Sequence, residues 1–298
     1  MCSRVKTVRM ANPFRIICWY RLGCVAACLG VAGGDHLAAC TLWAVAGDEA
    51  GGGTIISKNR DWKPDHTQVL KLHRAPGTYA YFGLYAEGND EPGLKGGVNE
   101  KGLTVVTASA SSIPEASRAK QPGKRGALAV LLANYSTCDE IVARLEAIFP
   151  HTRTGFFLIS DRRKILVVEV GLDGKFAHRL VERGSVAHTN HFLEPSLGAF
   201  NLKVGRSSTT RLNRIGELLT QEPRPMATAA FARMSRDQNA GPDNSLWRTG
   251  KSSRTLSSWI VESPAEGALR LRVHLANPGQ PEELHTYVLD EEFWRSAR

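Results

Sequence analysis

The sequence predicts an α+β domain in which helices pack on antiparallel sheets. Short apolar segments separated by glycine-rich turns occupy the first part of the chain, and this pattern is typical of strands and hairpins. Helical periodicity follows in the middle, and apolar alternation returns in the last third. Runs of strands and runs of helices, without an internal repeat or a linker, favour a single layered domain over residues 40–298.

The strands begin with a hairpin. Thr41–Ala46 and Thr54–Lys58 flank Gly51-Gly52-Gly53, a turn signal. The polar stretch Ser111–Lys124 contains two prolines and predicts a loop. Further strands are predicted at Val69–His73, Tyr79–Tyr85, Leu103–Ala108, Phe156–Ser160, Ile165–Val170, Phe176–Val181, Ser257–Val261, Leu269–Leu275 and Thr286–Leu289.

Helices are predicted both before and after the strands in the middle of the chain. Gly126–Asn134 carries an apolar run with helical character. Thr137 and Glu140 form a capping box, and apolar residues at helical spacing follow, which predicts a helix from Cys138 to Phe149. Ser207–Leu219 is a second strongly periodic segment.

Composition sets broad limits on function. The 298 residues are 42% hydrophobic, enough to bury a substantial core. The formal net charge is +9. Residues 1–39 hold five basic residues and one acidic residue and so carry +4 of it, and the remainder has no block of like charges. A solvated basic surface explains this distribution, and nucleic-acid binding is not expected.

Residues 1–39 have the pattern of an export signal. A basic region ends at Arg21, and Leu22–Gly34 is apolar but shorter than the ~20 residues that span a bilayer. Small residues then precede Cys40, as in a cleaved secretory signal. The sequence therefore predicts an exported protein with no stable membrane insertion after cleavage. Two alternatives stay open: a retained leader, and a lipobox at Leu37–Cys40 in which the thiol is lipidated.

Only two cysteines remain after such a cleavage. Cys2, Cys18, Cys24 and Cys28 lie in the leader, which leaves Cys40 and Cys138. No disulfide framework is expected, although a single bridge between these two stays open. No Cys/His cluster has metal-ligand spacing, so neither a metal nor another cofactor is predicted.

An N-terminal cysteine combines a nucleophile and a base in one residue. The α-amine has a reference pKa of about 7.7–8.0 and the thiol a value of about 8.5. The amine can therefore accept the thiol proton and later return it to a leaving amine. Cleavage before Cys40 creates this group, and Ala38-Ala39 supply the small residues that such a cleavage needs.

Several motifs occur after Cys40 in a defined order. They are Cys40-Thr41-Leu42-Trp43, Lys58-Asn59-Arg60-Asp61-Trp62, Val98–Leu103, Leu132–Ser136, Phe157–Asp161, Val167–Glu169, Thr189-Asn190-His191 and Ser207–Arg211. The series resembles the N-terminal nucleophile hydrolases of the choloylglycine hydrolase and penicillin V acylase group, and equally the acyl-coenzyme A:6-aminopenicillanic acid acyltransferases. It covers most of the chain after the leader.

The resemblance implies a four-layer αββα sandwich, self-processing where a propeptide remains, and cleavage of a non-peptide amide. It makes Cys40 the nucleophile and its α-amine the base. Asp61 matches the aspartate that orients the amine, and Asn190 the asparagine whose amide faces the oxyanion. Arg211 matches an arginine that holds the charge network around the nucleophile.

Four further residues are candidates for substrate binding or support. Bile-salt hydrolases carry arginine where this chain has Lys58, which keeps the charge but loses the bidentate fork. On a strand, Arg60 should face away from Asp61, which ranks it below Lys58. Ser109 falls where the family has a second oxyanion group, and His191 is expected to pack or to line the substrate.

The predicted reaction is hydrolysis of a linear amide through a thioester on Cys40, with a small-molecule N-acyl amide as partner. Deacylation by an amine instead of water would make the protein an acyltransferase. A dipeptidase with the same chemistry and a non-catalytic lipoprotein anchored at Cys40 are the alternatives, and a homo-oligomer stays open.

Overall fold

A computed structural model describes residues 39–88, 91–120 and 123–296. The predicted leader, apart from Ala39, and its four cysteines lie outside the described residues. The strands are β1 (Ala39–Gly47), β2 (Gly53–Trp62), β3 (Thr67–His73), β4 (Tyr81–Glu87), β5 (Gly93–Asn99), β6 (Thr104–Ala108), β7 (Gly155–Ser160), β8 (Ile165–Val170), β9 (Phe176–Val181), β10 (Gly184–His188), β11 (Arg254–Ser263), β12 (Leu269–Leu275) and β13 (Glu283–Leu289).

The strands form two antiparallel sheets. The first has the spatial order β10-β1-β2-β11-β12-β13, and the second is a continuous meander from β3 to β9. The predicted opening hairpin is confirmed, because β1 and β2 pair from Ala39 opposite Asp61 to Gly47 opposite Gly53. A short 3₁₀ turn, Asp48–Ala50, joins them.

The helices lie between strands β6 and β7, between β10 and β11, and at the end of the chain. They are α1 (Glu115–Lys120), α2 (Ala127–Asn134), α3 (Cys138–Val142), α4 (Leu145–Ile148), α5 (Arg206–Gln221), α6 (Thr228–Ser235), α7 (Gly241–Asn244) and α8 (Glu291–Ser296). Short 3₁₀ segments cover Phe149–His151 and Pro195–Phe200.

Three apolar clusters separate four layers. Leu42 and Trp259 of the first sheet share the central cluster with Leu84, Val106 and Leu158 of the second. A second cluster lies between the outer face of the second sheet and helices α2 to α4, and a third between the outer face of the first sheet and helices α5 and α6. The predicted four-layer αββα sandwich is confirmed.

Alternation along β1 decides which layer each side chain reaches. Leu42 and Ala44 belong to the central cluster, whereas Trp43 and Val45 pack against the helices; the Trp43 ring lies 6.0 Å from that of Phe231 in α6. Since successive side chains on a strand point to opposite faces, the thiol of Cys40 points between the two sheets.

The predicted helix Cys138–Phe149 is wrong in its middle. The chain leaves helical geometry at Arg144 (φ −128°, ψ 12°) and divides into α3, α4 and a 3₁₀ turn. The Arg144 N–H bonds to the carbonyl of Ile141, three residues back, so the turn tightens there. Ile141 and Leu145 are both buried, so the apolar spacing continues across the break and conceals it.

The predicted loop Ser111–Lys124 contains a helix. Helix α1 begins directly after Pro114, a residue whose fixed φ suits the start of a helix. Polar composition alone concealed this short element. Among the described residues, no helix is long and apolar enough to cross a membrane.

Candidate active site

Cys40 lies in β1, is 2% exposed, and stands directly opposite Arg60 of β2. Its side chain lines a cleft of about 640 Å³ that both sheets contribute to, with Thr107 and Phe156 among the residues on the opposite side. Ala39 continues into Cys40 within the same strand. The nitrogen of Cys40 is therefore a peptide amide here, and it donates to Oδ1 of Asn190 over 3.1 Å.

Asn190 follows β10 and is held at both ends of its side chain. Its Oδ1 also accepts from Nη2 of Arg211 over 2.8 Å, and its Nδ2 donates to the carbonyl of Ser109 over 2.9 Å. Its backbone N–H donates to Oγ of Ser208 over 2.9 Å. These bonds direct the amide nitrogen toward the cleft end that Ser109 lines.

Arg211 reaches Cys40 from helix α5. Its Nη1 donates to the Cys40 carbonyl over 2.7 Å and to Oγ1 of Thr41 over 2.6 Å. Burial lowers the pKa of Arg211 to about 10, and the charge of Asp61 opposes that shift. The guanidinium therefore stays protonated at neutral pH and fixes the backbone at Cys40.

Asp61 lies on the helix side of β2, opposite Ala39 in register. Its Oδ1 accepts from Oγ1 of Thr255 over 2.7 Å, and its Oδ2 is 4.0 Å from Nη1 of Arg211. Oδ2 is buried without a hydrogen-bond partner among the described residues. Burial raises the pKa of Asp61, against the influence of Arg248 and Arg211.

Lys58 shares the face of β2 that points between the sheets. Its Nζ donates to the carbonyls of Lys95 and Thr107, each over 2.6 Å, and so links the first sheet to β5 and β6. Burial lowers the pKa of Lys58 to about 7, and a negative charge on Cys40 opposes this shift.

Arg60 faces away from Asp61, as predicted, but that face is the one that holds Cys40. The geometry does not support the prediction that Arg60 matters less to the site than Lys58. Both side chains lie on the same face of the sheet as the Cys40 thiol. The Arg60 guanidinium carbon lies 4.2 Å from the ring centroid of Trp62, and its Nη1 donates to the Asp61 carbonyl over 3.1 Å.

Ser109 and His191 take different places. Ser109 lines the cleft and contacts Asn190 through its carbonyl rather than its side chain. His191 is 9% exposed and bonds through Nδ1 to Oγ of Ser208 over 2.8 Å. Burial lowers the pKa of His191, and its ring supports the Asn190 loop without lining the cleft.

Sequence reasoning assigned no role to Glu169 and Ser208, which hold the Asn190 loop in place. Glu169, 1% exposed in β8, accepts from Nε2 of His188 over 3.0 Å and from the backbone N–H of Leu193 over 3.0 Å. Ser208 contacts Thr189, Asn190 and His191 through one hydroxyl. A carboxylate within the apolar run Ile165–Val170 was the signal available in the sequence.

Neither described cysteine forms a disulfide: Cys40 and Cys138 are both free and buried. Burial raises the pKa of Cys138 well above its ordinary value, and the charge of Asp161 adds a smaller increase. This keeps Cys138 a neutral thiol in the packing of α3. Among residues 39–88, 91–120 and 123–296, no group of three or more His, Cys, Asp or Glu side chains is placed to hold a metal ion.

Comparison with protein families identifies one match. The model of the acyl-coenzyme A:6-aminopenicillanic acid acyl-transferase family matches residues 49–278, a range that includes Lys58, Asp61, Asn190 and Arg211. No curated protein matches the chain.

Comparison with solved structures finds similar chains at low identity. The N-acylethanolamine-hydrolyzing acid amidase ortholog of Caenorhabditis elegans has a TM-score of 0.54 at 13% identity, covering 76% of this chain and 94% of its own. The C2A mutant of conjugated bile acid hydrolase from Clostridium perfringens has a TM-score of 0.48 at 13% identity, covering 83% and 97%.

Proposed function

This chain belongs to the acyl-coenzyme A:6-aminopenicillanic acid acyl-transferase family, and on that premise we propose that it is an N-terminal-cysteine amidohydrolase. Its reaction is the cleavage of a linear, non-peptide amide of an N-acyl substrate through a thioester on Cys40. One observation carries the proposal: the Cys40 side chain lines the cleft while its nitrogen contacts the Asn190 amide that is itself fixed by Arg211.

The proposed catalyst forms when the bond between Ala39 and Cys40 is hydrolysed. That step converts the Cys40 amide nitrogen into a free amine beside Oδ1 of Asn190. Asp61, opposite Ala39, carries a buried Oδ2 that is 4.0 Å from Nη1 of Arg211 but has no hydrogen-bond partner among the described residues. A buried acceptor without a hydrogen bond is unfavourable, so a new ammonium near this oxygen would satisfy an acceptor that the uncleaved strand leaves open.

In acylation, the α-amine accepts the thiol proton and the sulfur attacks the substrate carbonyl. The Nδ2 of Asn190 and a backbone N–H stabilise the oxyanion, a type of contact whose loss costs about 2.7–4 kcal/mol of transition-state stabilisation. Collapse of the tetrahedral intermediate breaks the carbon–nitrogen bond, and the ammonium of Cys40 protonates the leaving amine. The acyl group remains as a thioester.

Deacylation reverses the proton transfers with water as the attacking group. The α-amine takes a proton from water, hydroxide adds to the thioester carbonyl, and the thiol is regenerated with release of the acid. Acyl transfer to an amine is the second candidate activity, since the matching family is described as an acyl-transferase family. Competition between added amines and water for the thioester distinguishes the two.

A lipid anchor at Cys40 suits this position poorly. Cys40 is 2% exposed in a strand paired with both β2 and β10. A lipidated thiol and acylated amine would have to fit among the packed side chains of the central cluster. We propose export of the enzyme with its leader removed near Ala39-Cys40, which gives the cysteine its catalytic amine rather than a lipid.

A substitution pair tests the proposal. Cys40→Ser is expected to lose hydrolysis of N-acyl amides, while Cys138→Ser is expected to retain it, because Cys138 is buried in α3 away from the cleft. Both proteins are compared by circular dichroism before assay. Hydrolysis at the wild-type rate by a folded Cys40→Ser protein would require a different nucleophile.

A further inference from the structure

Arg60 has two buried nitrogen atoms that nothing in the described part of the chain satisfies. The side chain is 2% exposed, and its Nε and Nη2 are buried without a hydrogen-bond partner. Nη1 donates to the Asp61 carbonyl, and the Cys40 sulfur lies close enough to the guanidinium to raise its pKa as a hydrogen-bond partner. A guanidinium carries five N–H donors in a fixed fork, and an unpaired buried charge is strongly unfavourable. The side chain lines the cleft, so these donors are available to a bound molecule.

The surrounding cleft has an excess of positive charge. Eight basic side chains line it, against two acidic ones among the described residues, Glu91 and Glu115. Glu91 is already paired with Arg153 over 2.9 Å. Lys95 stands in the same cleft, where burial and then the charge of Arg60 lower its pKa to about 8. Arg60 and Lys95 therefore lie close enough to repel each other, and the charge of Glu91 acts on both in the opposite sense. Among the described residues, neither Arg60 nor Lys95 forms an ion pair with an acidic side chain.

A negative charge on Cys40 would not remove this excess. It opposes the effect of burial on the pKa values of both Arg60 and Lys58, but a single negative charge balances only one cation. The thiolate charge also disappears when the thioester forms, because sulfur then bonds to the acyl carbon. An anion on the substrate would stay in the cleft until the product that carries it is released.

We propose that Arg60 and Lys95 form an anion-binding subsite beside Cys40, which selects N-acyl substrates that carry a compact anion such as a carboxylate near the scissile amide. This proposal rests on the proposed amidohydrolase function. The planar fork of Arg60, stacked on Trp62, suits a carboxylate with two parallel N–H···O bonds. Leu94, Leu128 and Phe157 line the same cleft and provide apolar surface for the rest of the acyl chain.

Two pairs of substrates test the proposal and locate the anion. N-octanoylglycine and N-octanoylglycinamide differ in charge on the amine side, whereas adipic acid monoanilide and hexananilide differ on the acyl side. The wild-type enzyme is expected to prefer the charged member of at least one pair. Arg60→Leu is expected to reduce that preference in kcat/KM by about 10- to 100-fold, the range for a lost hydrogen bond to a charged group, while Arg60→Lys restores part of it.

Controls separate this subsite from its alternatives. Arg270→Gln removes an exposed charge from β12, outside the cleft, and should leave the preference unchanged. If Arg60→Leu lowers kcat/KM equally on charged and neutral substrates, the subsite is overturned, and Arg60 acts on the Cys40 thiolate instead. If Arg60→Leu does not fold, Lys95→Gln is assayed in its place on the same substrates, and the same two outcomes support or overturn the subsite. A wild-type enzyme that prefers neutral amides refutes the subsite alone, whereas one that cleaves no amide refutes the proposed function.

Discussion

Asn190 connects Cys40, the buried Arg211 and the Ser109 end of the cleft through one side chain. Its Oδ1 contacts Cys40 and Arg211, and its Nδ2 contacts the Ser109 carbonyl. Arg211 and the Cys40 nitrogen occupy the oxygen end, so the amide cannot rotate without losing both contacts. The nitrogen end is therefore preorganised to donate to an oxyanion, the arrangement that contributes most to acyl-transfer catalysis.

Asn190→Ala is expected to reduce kcat by about 100- to 1000-fold, as for other single oxyanion donors, with a much smaller effect on KM. Steady-state kinetics on one N-acyl amide checks this. Asn134→Ala is the matched control, because Asn134 is exposed and bonds only within its own helix α2. A kcat close to that of the wild type in Asn190→Ala would exclude Asn190 from the transition state.

Lys58 makes stability depend on pH in a defined direction. Its pKa falls from an ordinary 10.5 to about 7 in the folded protein because of burial, so between these values the unfolded chain binds the extra proton. Stability therefore rises with pH across this window. Below pH 7 both states are protonated and the folded state carries the full penalty of a buried ammonium.

Lys58→Met, compared with its parent in a Cys40→Ala background, should lose this part of the pH dependence. The background removes the thiol that is coupled to Lys58. Urea unfolding at a series of pH values between 6 and 10 measures the difference in free energy of unfolding between the two proteins. A difference that stays constant across the series would mean that Lys58 is charged throughout in the folded state.

At the scale of elements, strand β8 supports the loop that carries Asn190. Glu169 accepts hydrogen bonds from His188 at the end of β10 and from the backbone of Leu193 and Glu194 beyond it. The Phe156 ring packs on His188, with ring centroids 4.2 Å apart. The loop is thereby fixed on both sides of Asn190 by one buried carboxylate.

Glu169→Gln is expected to lower the free energy of unfolding by about 1–3 kcal/mol, because the amide leaves buried donors incompletely satisfied. The kcat should fall as well, since the Asn190 loop loosens. Glu87→Gln is the control, because Glu87 forms an exposed pair with Lys71, which contributes little. Unchanged stability in Glu169→Gln, by thermal and denaturant unfolding, would contradict this role.

The sequence predicts the position of most strands but misses one interruption of a helix and one short helix. Apolar residues alternate visibly in β12, and β8 is an apolar run interrupted only by Glu169; the predicted bounds of both strands, and those of β9, agree with the structure. The interruption at Arg144 and helix α1 were missed, because both depend on local backbone geometry that leaves the apolar spacing intact or is too short to show periodicity.

Site residues followed from the resemblance more than from pattern. Cys40, Asp61, Asn190 and Arg211 are far apart in sequence, and only the pairing of β1 with β2 and β10 and the packing of α5 bring them together. The face of Arg60 was predictable from strand alternation. Its neighbourhood was not, because that required the register that sets Arg60 opposite Cys40.

In the molecule as a whole, the groups around Cys40 lie on two different faces of strand β1. The thiol of Cys40 points between the sheets into a basic cleft, while Arg211 and Asp61 approach from the helix side. Lys58 joins the sheets at the cleft by bonding to the carbonyls of Lys95 and Thr107. The Cys40 sulfur thus lies on one face of β1, toward the cleft, and the charged groups that hold its backbone lie on the other face, toward the helices.

Intact-mass spectrometry during turnover of an N-acyl amide tests the central claim most directly. We expect a protein that begins at Cys40 and that, when quenched with acid, carries one acyl group on the Cys40 peptide, removable by hydroxylamine. A functional protein that retains Ala39, bears a lipid on Cys40, or shows no acyl adduct under these conditions would contradict it.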